Sequence, residues 1–399
     1  MLLEKIKDLA FGYNNQLIAI RRHLHAHPEL SYQETETSKF IQDKLTELGI
    51  PFKVMASTGV CGIISGIDPQ SHTVALRADM DALPIAEQND VDYKSQNAGV
   101  MHACGHDVHT TCLLGAAKIL SETKNEWRGT VKLIFQPGEE KNPGGASLMI
   151  KEGVLKDPAP LAIFGLHVHP SLPVGKFSFR AGKAMASADE LYITVKSKGG
   201  HAAAPHLTGD TIFAASQIVV NLQQVISRRN DPFNPSVLSI TSFKGGNTTN
   251  VIPSEVQLMG TFRAMNENWR FEAHDIIRSV CEHTASSCNV DVIVNVDVGY
   301  PFLVNNEELT RMATRNAEMY AGAENVSETE MRMGAEDFAY YSHEIPACFF
   351  RLGVGNPEKG INSGVHTPTF DVDENALIHG AGMMAWLAAS FKSTYLQDF

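Results

Sequence analysis

Cysteine is scarce in this chain: there are six in 399 residues, at positions 61, 104, 112, 281, 288 and 348. Their spacing is irregular and includes no CxxC pair, so neither a disulfide framework nor a zinc-finger motif is expected. A reducing cytoplasm is the compartment this usage fits best. No run approaches the roughly 18 apolar residues of a membrane-crossing helix. The N-terminal MLLEKIKDLAFGYNNQL mixes charge into its apolar positions and does not read as a secretion signal. Positive charge is also short, with 33 Lys and Arg against 45 Asp and Glu, a net charge of −12. That balance argues against general nucleic-acid or anionic-membrane binding. GxGxxG, Walker A and GxSxG motifs are absent, as are internal repeats and low-complexity segments.

What remains is an ordinary globular composition, 43% hydrophobic and 20% charged. At roughly 150 residues per domain, the length predicts two or three domains. Apolar residues at Leu2, Ile6, Leu9, Tyr13, Leu17, Ile20 and Leu24 have helical spacing. A second helix is expected from Ser31 to Leu48, with Glu34 completing a capping box. Short β-rich runs then end in polar residues: TVALRADMD (73–81), TVKLIFQPGEE (130–140) and LAIFGLHVH (161–169). Helical patterns at 110–120 and 146–152 alternate with them, which predicts an α/β layer fold with its site beyond the carboxyl ends of the strands. From about Lys183 the order becomes β-α-β-β-α-β, that of a small two-layer α+β domain. The expected organisation is a catalytic domain of residues 1–182 and 298–399, interrupted by an inserted domain of 183–297.

The densest chemical signal is HACGHDVH (102–109), with three His, one Cys and one Asp in eight residues. Thiolate and imidazole are the usual ligands of zinc and its neighbours, and Cys104 and His106 stand close enough to meet at one ion. Glu139 and Glu140 follow a buried-looking strand. One carboxylate can bind metal while the other moves protons, although most Glu–Glu pairs are simply solvated. His167 ends an apolar run, where a lone His is more often a packed residue than a ligand. Asp79 and Asp81 in RADMDALP can ligate metal or orient a histidine. His366 in VHTPTF says nothing by itself. Together these are too many ligands for one closed structural site. They fit two ions sharing a water.

The ordered motifs RRHLHAHPELSYQETETSKFI (21–41), RADMDALP, HACGHDVH, FQPGEE, GLHVHP, GGHAAAPH (199–206), NVIP, MGTFR, GAEDFA and VHTPTFDVDENAL resemble the metallo-aminoacylase and carboxypeptidase family. Within it they are similar to the branch of N-acyl-amino-acid amidohydrolases, hippurate hydrolases and auxin-conjugate hydrolases. The resemblance spans nearly the whole chain. It implies a mixed-sheet aminopeptidase-like catalytic domain carrying a lid and dimerisation domain. It also implies two divalent ions, Zn²⁺ or Mn²⁺ with Co²⁺ or Ni²⁺ as alternatives, held by Cys104, His106, Glu140, His167 and His366. Glu139 takes the place of the general base, and Asp81 that of the residue supporting the metal site. His201 falls where a histidine helps bind the scissile carbonyl, and Asn250 and Arg263 where substrate polar groups are held. Plain alternatives are a loop residue for His201 and solvated residues for the other two. Gly138 stands where Ala is common and Thr367 where Ser is common. The implied reaction is hydrolysis of an N-acyl-L-amino acid, a small-molecule substrate, by a homodimer or higher homo-oligomer. A dipeptidase or carboxypeptidase is the alternative.

Overall fold

The computed structural model describes residues 1–392, so the last seven residues of the expected 298–399 segment lie outside the described residues. The chain divides into two compact units. One comprises Met1–Gly182, Val304–Glu330 and the chain from Asp337 onward. The other comprises Lys183–Leu303 with Met331–Glu336.

The first unit is built on an eight-stranded mixed sheet. Its strands run in the order Phe52–Met55, Gly59–Ser65, Thr130–Gln136, Thr73–Asp79, Ala162–Pro173, Ala347–Gly355, Phe177–Phe179, Val326–Glu328. Thr130–Gln136, Thr73–Asp79, Ala162–Pro173 and Ala347–Gly355 are mutually parallel. Three of these four are buried along their full length, which explains their apolar runs: a parallel strand covered on both faces has no reason to alternate. The helix His106–Glu122 is likewise buried almost all round, packed against Ala376–Ser390 and against the strand Thr73–Asp79. Helical spacing over the first 25 residues resolves into two helices, Leu2–Gly12 and Asn14–Ala26, separated at Tyr13.

The helix expected from Ser31 begins instead at Thr35. Its capping box does not form, because the Glu34 carboxylate is committed elsewhere, to the backbone N–H groups of Tyr32 and Gly138 and to the Thr58 hydroxyl. The helix expected at 110–120 starts earlier, at His106, so its first turn carries the ligand motif. Among the described residues no helix is long and apolar enough to cross a membrane.

The second unit is a four-stranded antiparallel sheet in the order Ser236–Lys244, Glu255–Ala264, Asp189–Lys196, Asp291–Val298. Burial alternates along Asp189–Lys196, so one face is covered. The helices Thr211–Gln224 and Glu267–Ser287 supply that cover, with Ile218, Leu222, Ile277 and Cys281 packed on Leu191, Ile193, Val195 and Leu258. Asp189, at the start of its strand, is buried and receives two hydrogen bonds from Arg270, one contact from His274 at 2.8 Å and the N–H of Gly299. Arg270 also donates to the carbonyl of Gly299. One ion cluster thus fastens the helix Glu267–Ser287 to the end of the sheet where Asp189 and Val298 pair. Replacing Arg270 by Met would leave a buried carboxylate short of its main counter-charge. The expected loss is about 3–5 kcal/mol of unfolding free energy, read from urea denaturation.

Candidate metal centre

Cys104 and His106 flank Gly105, which has φ +84° and immediately precedes the buried helix. A Cβ at Gly105 would stand 2.6 Å from Val168 Cγ2, so only glycine lets this corner close onto the strand that carries His167. His366 arrives from far down the chain in a left-handed conformation, φ +61°, and its N–H donates to the carbonyl of Ala103 at 2.7 Å. A histidine held in that region is strained, and such strain concentrates at functional sites.

The ring partners fix which nitrogen each histidine presents. His106 Nδ1 lies 3.1 Å from Asp81 Oδ1, leaving Nε2 buried with no hydrogen-bond partner. His167 Nδ1 donates to the carbonyl of Val168 at 2.8 Å, and its Nε2 faces Cys104 Sγ at 3.5 Å. His366 Nε2 stands 3.3 Å from Cys104 Sγ and 3.2 Å from Glu140 Oε1, the latter in ion-pair range without hydrogen-bond alignment. Ligand atoms therefore converge in overlapping sets within 4.8 Å: Cys104, His106 and His167; Cys104, Glu140 and His366; His106, Glu139 and Glu140. A buried imidazole nitrogen with no partner, inside a mixed N/O/S set, is what a cation would satisfy. The donor set fits a transition-metal centre, and the sharing of Cys104, His106 and Glu140 between sets fits two neighbouring ions.

Protonation reflects the crowding. Burial raises the Cys104 thiol, and nearby Glu140 adds to the rise. Burial opposes charge on His106, but Asp79 and Cys104 outweigh it and its pKa is raised. The contacts with Cys104 and Glu140 push His366 up to about 10. His167 moves the other way, held low by burial, Arg351 and His109. Burial alone would raise Asp81. His106, Ser31 and the Glu140 N–H outweigh that and hold it below the usual carboxylate range.

Asp81 is the tie between loops: Oδ1 faces His106, while Oδ2 accepts from Ser31 Oγ at 2.6 Å and from the Glu140 N–H at 3.0 Å. Glu139 is 7% exposed and accepts a long 3.4 Å contact from the Asp337 N–H. The remaining polar members of HACGHDVH serve other ends. Asp107 is bound by Arg21 and His25. His102 is buried without a partner at either ring nitrogen, and burial pushes it down to about 4. His109 joins Asp79 Oδ1 to the Val168 N–H, at 2.5 and 2.9 Å. Arg77, Gln136 and Asp337 were not singled out by sequence, yet they form the buried floor. Arg77 bonds Asp79, Gln136 and Asp337, and Gln136 bonds both oxygens of Asp337. Only the invariably charged, fully apolar-flanked Arg in RADMD could have signalled it.

His201, Asn250 and Arg263 belong to the second unit. His201 and Asn250 are exposed neighbours on a two-stranded ribbon, where the Ala202 N–H donates to the Asn250 carbonyl at 3.0 Å. Arg263 is half-buried on the four-stranded sheet, its Nε bonded to Thr261 Oγ1, and burial lowers its pKa.

A thiol-centred candidate ligand set beside a second buried carboxylate, at the carboxyl ends of parallel strands, is the equipment of a metal-assisted hydrolase. The chain belongs to peptidase family M20/M25/M40, which matches residues 75–390, and it is a hydrolase of that family. It is 41% identical over 399 residues to thermostable carboxypeptidase 2 of Saccharolobus solfataricus, covering 98% of this chain and 99% of the relative. It is also 41% identical to IAA-amino acid hydrolase ILR1-like 4 of Arabidopsis thaliana, over 94% of this chain and 85% of that one. Among solved structures, the Bacillus subtilis YXEP protein, described as a dinuclear metal binding peptidase, superposes with a TM-score of 0.81 at 35% identity, covering 95% and 98% of the two chains.

Because Asp81 orients one imidazole and one ligand-bearing turn, Asp81→Ala is expected to weaken metal binding about 10- to 100-fold. Competition against a chromogenic chelator measures it, and wild-type affinity would show that the tie is dispensable.

Proposed function

We propose that the chain hydrolyses the amide bond of N-acyl-L-amino acids, releasing a carboxylate and a free amino acid. The observation that supports this most is Glu139: a buried carboxylate adjacent to the ligand-bearing Glu140. A purely structural metal site has no use for such a base. Cys104, His106, Glu140, His167 and His366 would hold two divalent ions, Zn²⁺ or Mn²⁺ being the proposed pair. When bound, those ions supply Lewis acidity that lowers the pKa of water towards about 7 and polarises the amide carbonyl. Glu139 accepts the proton of the attacking water and returns it to the leaving amine nitrogen. Asp81 keeps His106 and Glu140 in register during that exchange. His201 is proposed to donate to the scissile carbonyl as negative charge develops, and Asn250 and Arg263 to hold the substrate's polar groups, Arg263 its carboxylate.

The second reading is a carboxypeptidase or dipeptidase, favoured by the likeness to a protein named as a carboxypeptidase. The thiol among the ligands, together with a likeness of equal identity to an enzyme named as an amino-acid conjugate hydrolase, supports the first. A homodimer is proposed as well, because Phe213 and Val220 stand 55% and 63% exposed on one helix of the second unit. Light scattering at the monomer mass would refute it.

Glu139→Gln is expected to retain its metal while turnover falls by about 10² to 10⁴. Turnover is measured on N-acetyl-methionine, hippurate and several dipeptides, with Zn²⁺ or Mn²⁺ added and with a chelator. Unchanged turnover in that variant sinks the assignment of the base. Cleavage of the dipeptides alone replaces the N-acyl reading with the peptidase one. Arg263→Ala is expected to raise KM for carboxylate-bearing substrates about 10-fold or more while sparing kcat, and an unchanged KM removes it from the substrate site.

A further inference from the structure

Glu139 and Glu140 sit on a turn, not on a helix or strand, since the preceding strand ends at Gln136 and the next helix begins at Gly145. The turn closes on itself through Gly145 N–H to the Gly138 carbonyl at 3.1 Å and Gly144 N–H to the Lys141 carbonyl at 3.0 Å. Its inner side is tied to the floor by Ala146 N–H to Asp337 Oδ2 at 3.0 Å.

The outer side is held by one short segment from early in the chain, Ser31–Glu34. Glu34, fully buried, accepts the Gly138 N–H at 2.8 Å. The Tyr32 hydroxyl donates to the Lys141 carbonyl at 2.6 Å and accepts the Gly144 N–H at 3.0 Å. Ser31 bonds the Asp81 carboxylate that also takes the Glu140 N–H. Tyr32 is itself in the left-handed region at φ +67°, a conformation a bulky residue keeps only when its surroundings impose it. Its ring lies flat over Gly138: a Cβ there would be 2.3 Å from Tyr32 Cε1 and 2.6 Å from Cζ. Gly138 is therefore required twice, by its φ of +58° and by the ring.

We propose that Tyr32, assisted by Glu34 and Ser31, is a positioning residue for the hydrolysis: it clamps the Gly138–Gly145 turn so that Glu139 and Glu140 hold their separate places, and glycine at 138 is the mate of that tyrosine. The inference rests on the reading of Glu139 as the base. The Tyr32 hydroxyl bonds backbone groups of the turn and takes no part in the chemistry. A clamp of this kind acts on kcat, because displacement of a catalytic group by about 1 Å can cost on the order of 100-fold. It leaves substrate affinity largely alone, and at saturating metal it leaves the bound metal per chain unchanged.

The test uses the full-length, metal-loaded enzyme and four variants: Tyr32→Phe, Tyr32→Ala, Gly138→Ala and Tyr32→Ala/Gly138→Ala, with Glu139→Gln alongside. Bound metal per chain, kcat and KM on N-acetyl-methionine and hippurate, and amide hydrogen exchange over residues 137–146 are measured for each. Tyr32→Phe is expected to lower kcat about 10-fold at near-constant KM and metal content, and to speed exchange in the turn. Gly138→Ala should lose kcat more severely than the double variant, because removing the ring removes the clash. That rescue is a readout that a general stabilising role would not give. The proposal is overturned if Tyr32→Phe keeps parental kcat and exchange, or if Gly138→Ala is equally harmful with and without the ring. Full turnover in Glu139→Gln would defeat the base assignment alone, since exchange and the rescue still report the clamp.

Discussion

The guanidinium of Arg77 is the charge on which the strand ends of the first unit depend. It is fully buried, in the middle of an apolar strand, and it bonds Asp79 on its own strand, Gln136 on the next and Asp337, 260 residues away in sequence. A buried cation is tolerable only when its donors are met by charged and polar acceptors, and the strands must end in the right register to supply them. Each acceptor passes the constraint on. Asp79 fixes His109, and His109 fixes the backbone beside His167. Asp337 fixes Gln136 and the far end of the turn bearing Glu139 and Glu140. The candidate metal-ligating side chains thus sit on a buried polar floor that hydrogen bonds tie to the loops above it.

This arrangement explains why the ligands lie so far apart in sequence and converge so closely in space. Parallel strands all end on the same edge, so each crossing of the sheet delivers one more polar residue to one place. The buried helix beginning at His106 supplies Cys104 and His106 at its mouth, while the loop returning at His366 closes the group from the solvent side, where that side chain is 52% exposed. Three imidazoles around one thiol would be mutually unfavourable if all were charged. Their shifts separate them: His106 and His366 are pushed towards the protonated form, while His167 is held away from it. Cations bound there would take over the role of those protons, which would couple metal binding to proton release.

Most of the architecture was legible in the sequence because burial writes itself as periodicity. The apolar runs at 73–79 and 130–136 read as strands, and the β-α-β-β-α-β order after Lys183 reads as a second layer type. The candidate ligands stood out because Cys and His are rare and cluster. Glu34 was misread for a physical reason: Ser-x-x-Glu before a helix is the pattern of a capping box, but the same residues serve equally well to bridge two loops, and the pattern cannot say which donors the carboxylate will find. Arg77, Asp337 and His109 were missed because their partners are distant in sequence, so no local spacing records them. A single Arg in a strand or Asp in a loop carries no signature until the sheet brings them together.

Adjacency of Glu139 and Glu140 has a consequence for how the site is held. Two neighbouring residues share a peptide plane, so any drift of one carries the other. The backbone must therefore be fixed on both sides of the pair, not at one. The structure does this with backbone ties alone: Gly138 N–H to Glu34 before the pair, Glu140 N–H to Asp81 within it, and Gly144 and Ala146 N–H after it. None of these bonds consumes a carboxylate oxygen of Glu139 or Glu140. The main chain is thus tied on both sides of the pair by bonds that leave the two side chains out of the tying, which is what the proposed roles would need: one carboxylate to bind a cation and its neighbour to move a proton within about an ångström tolerance.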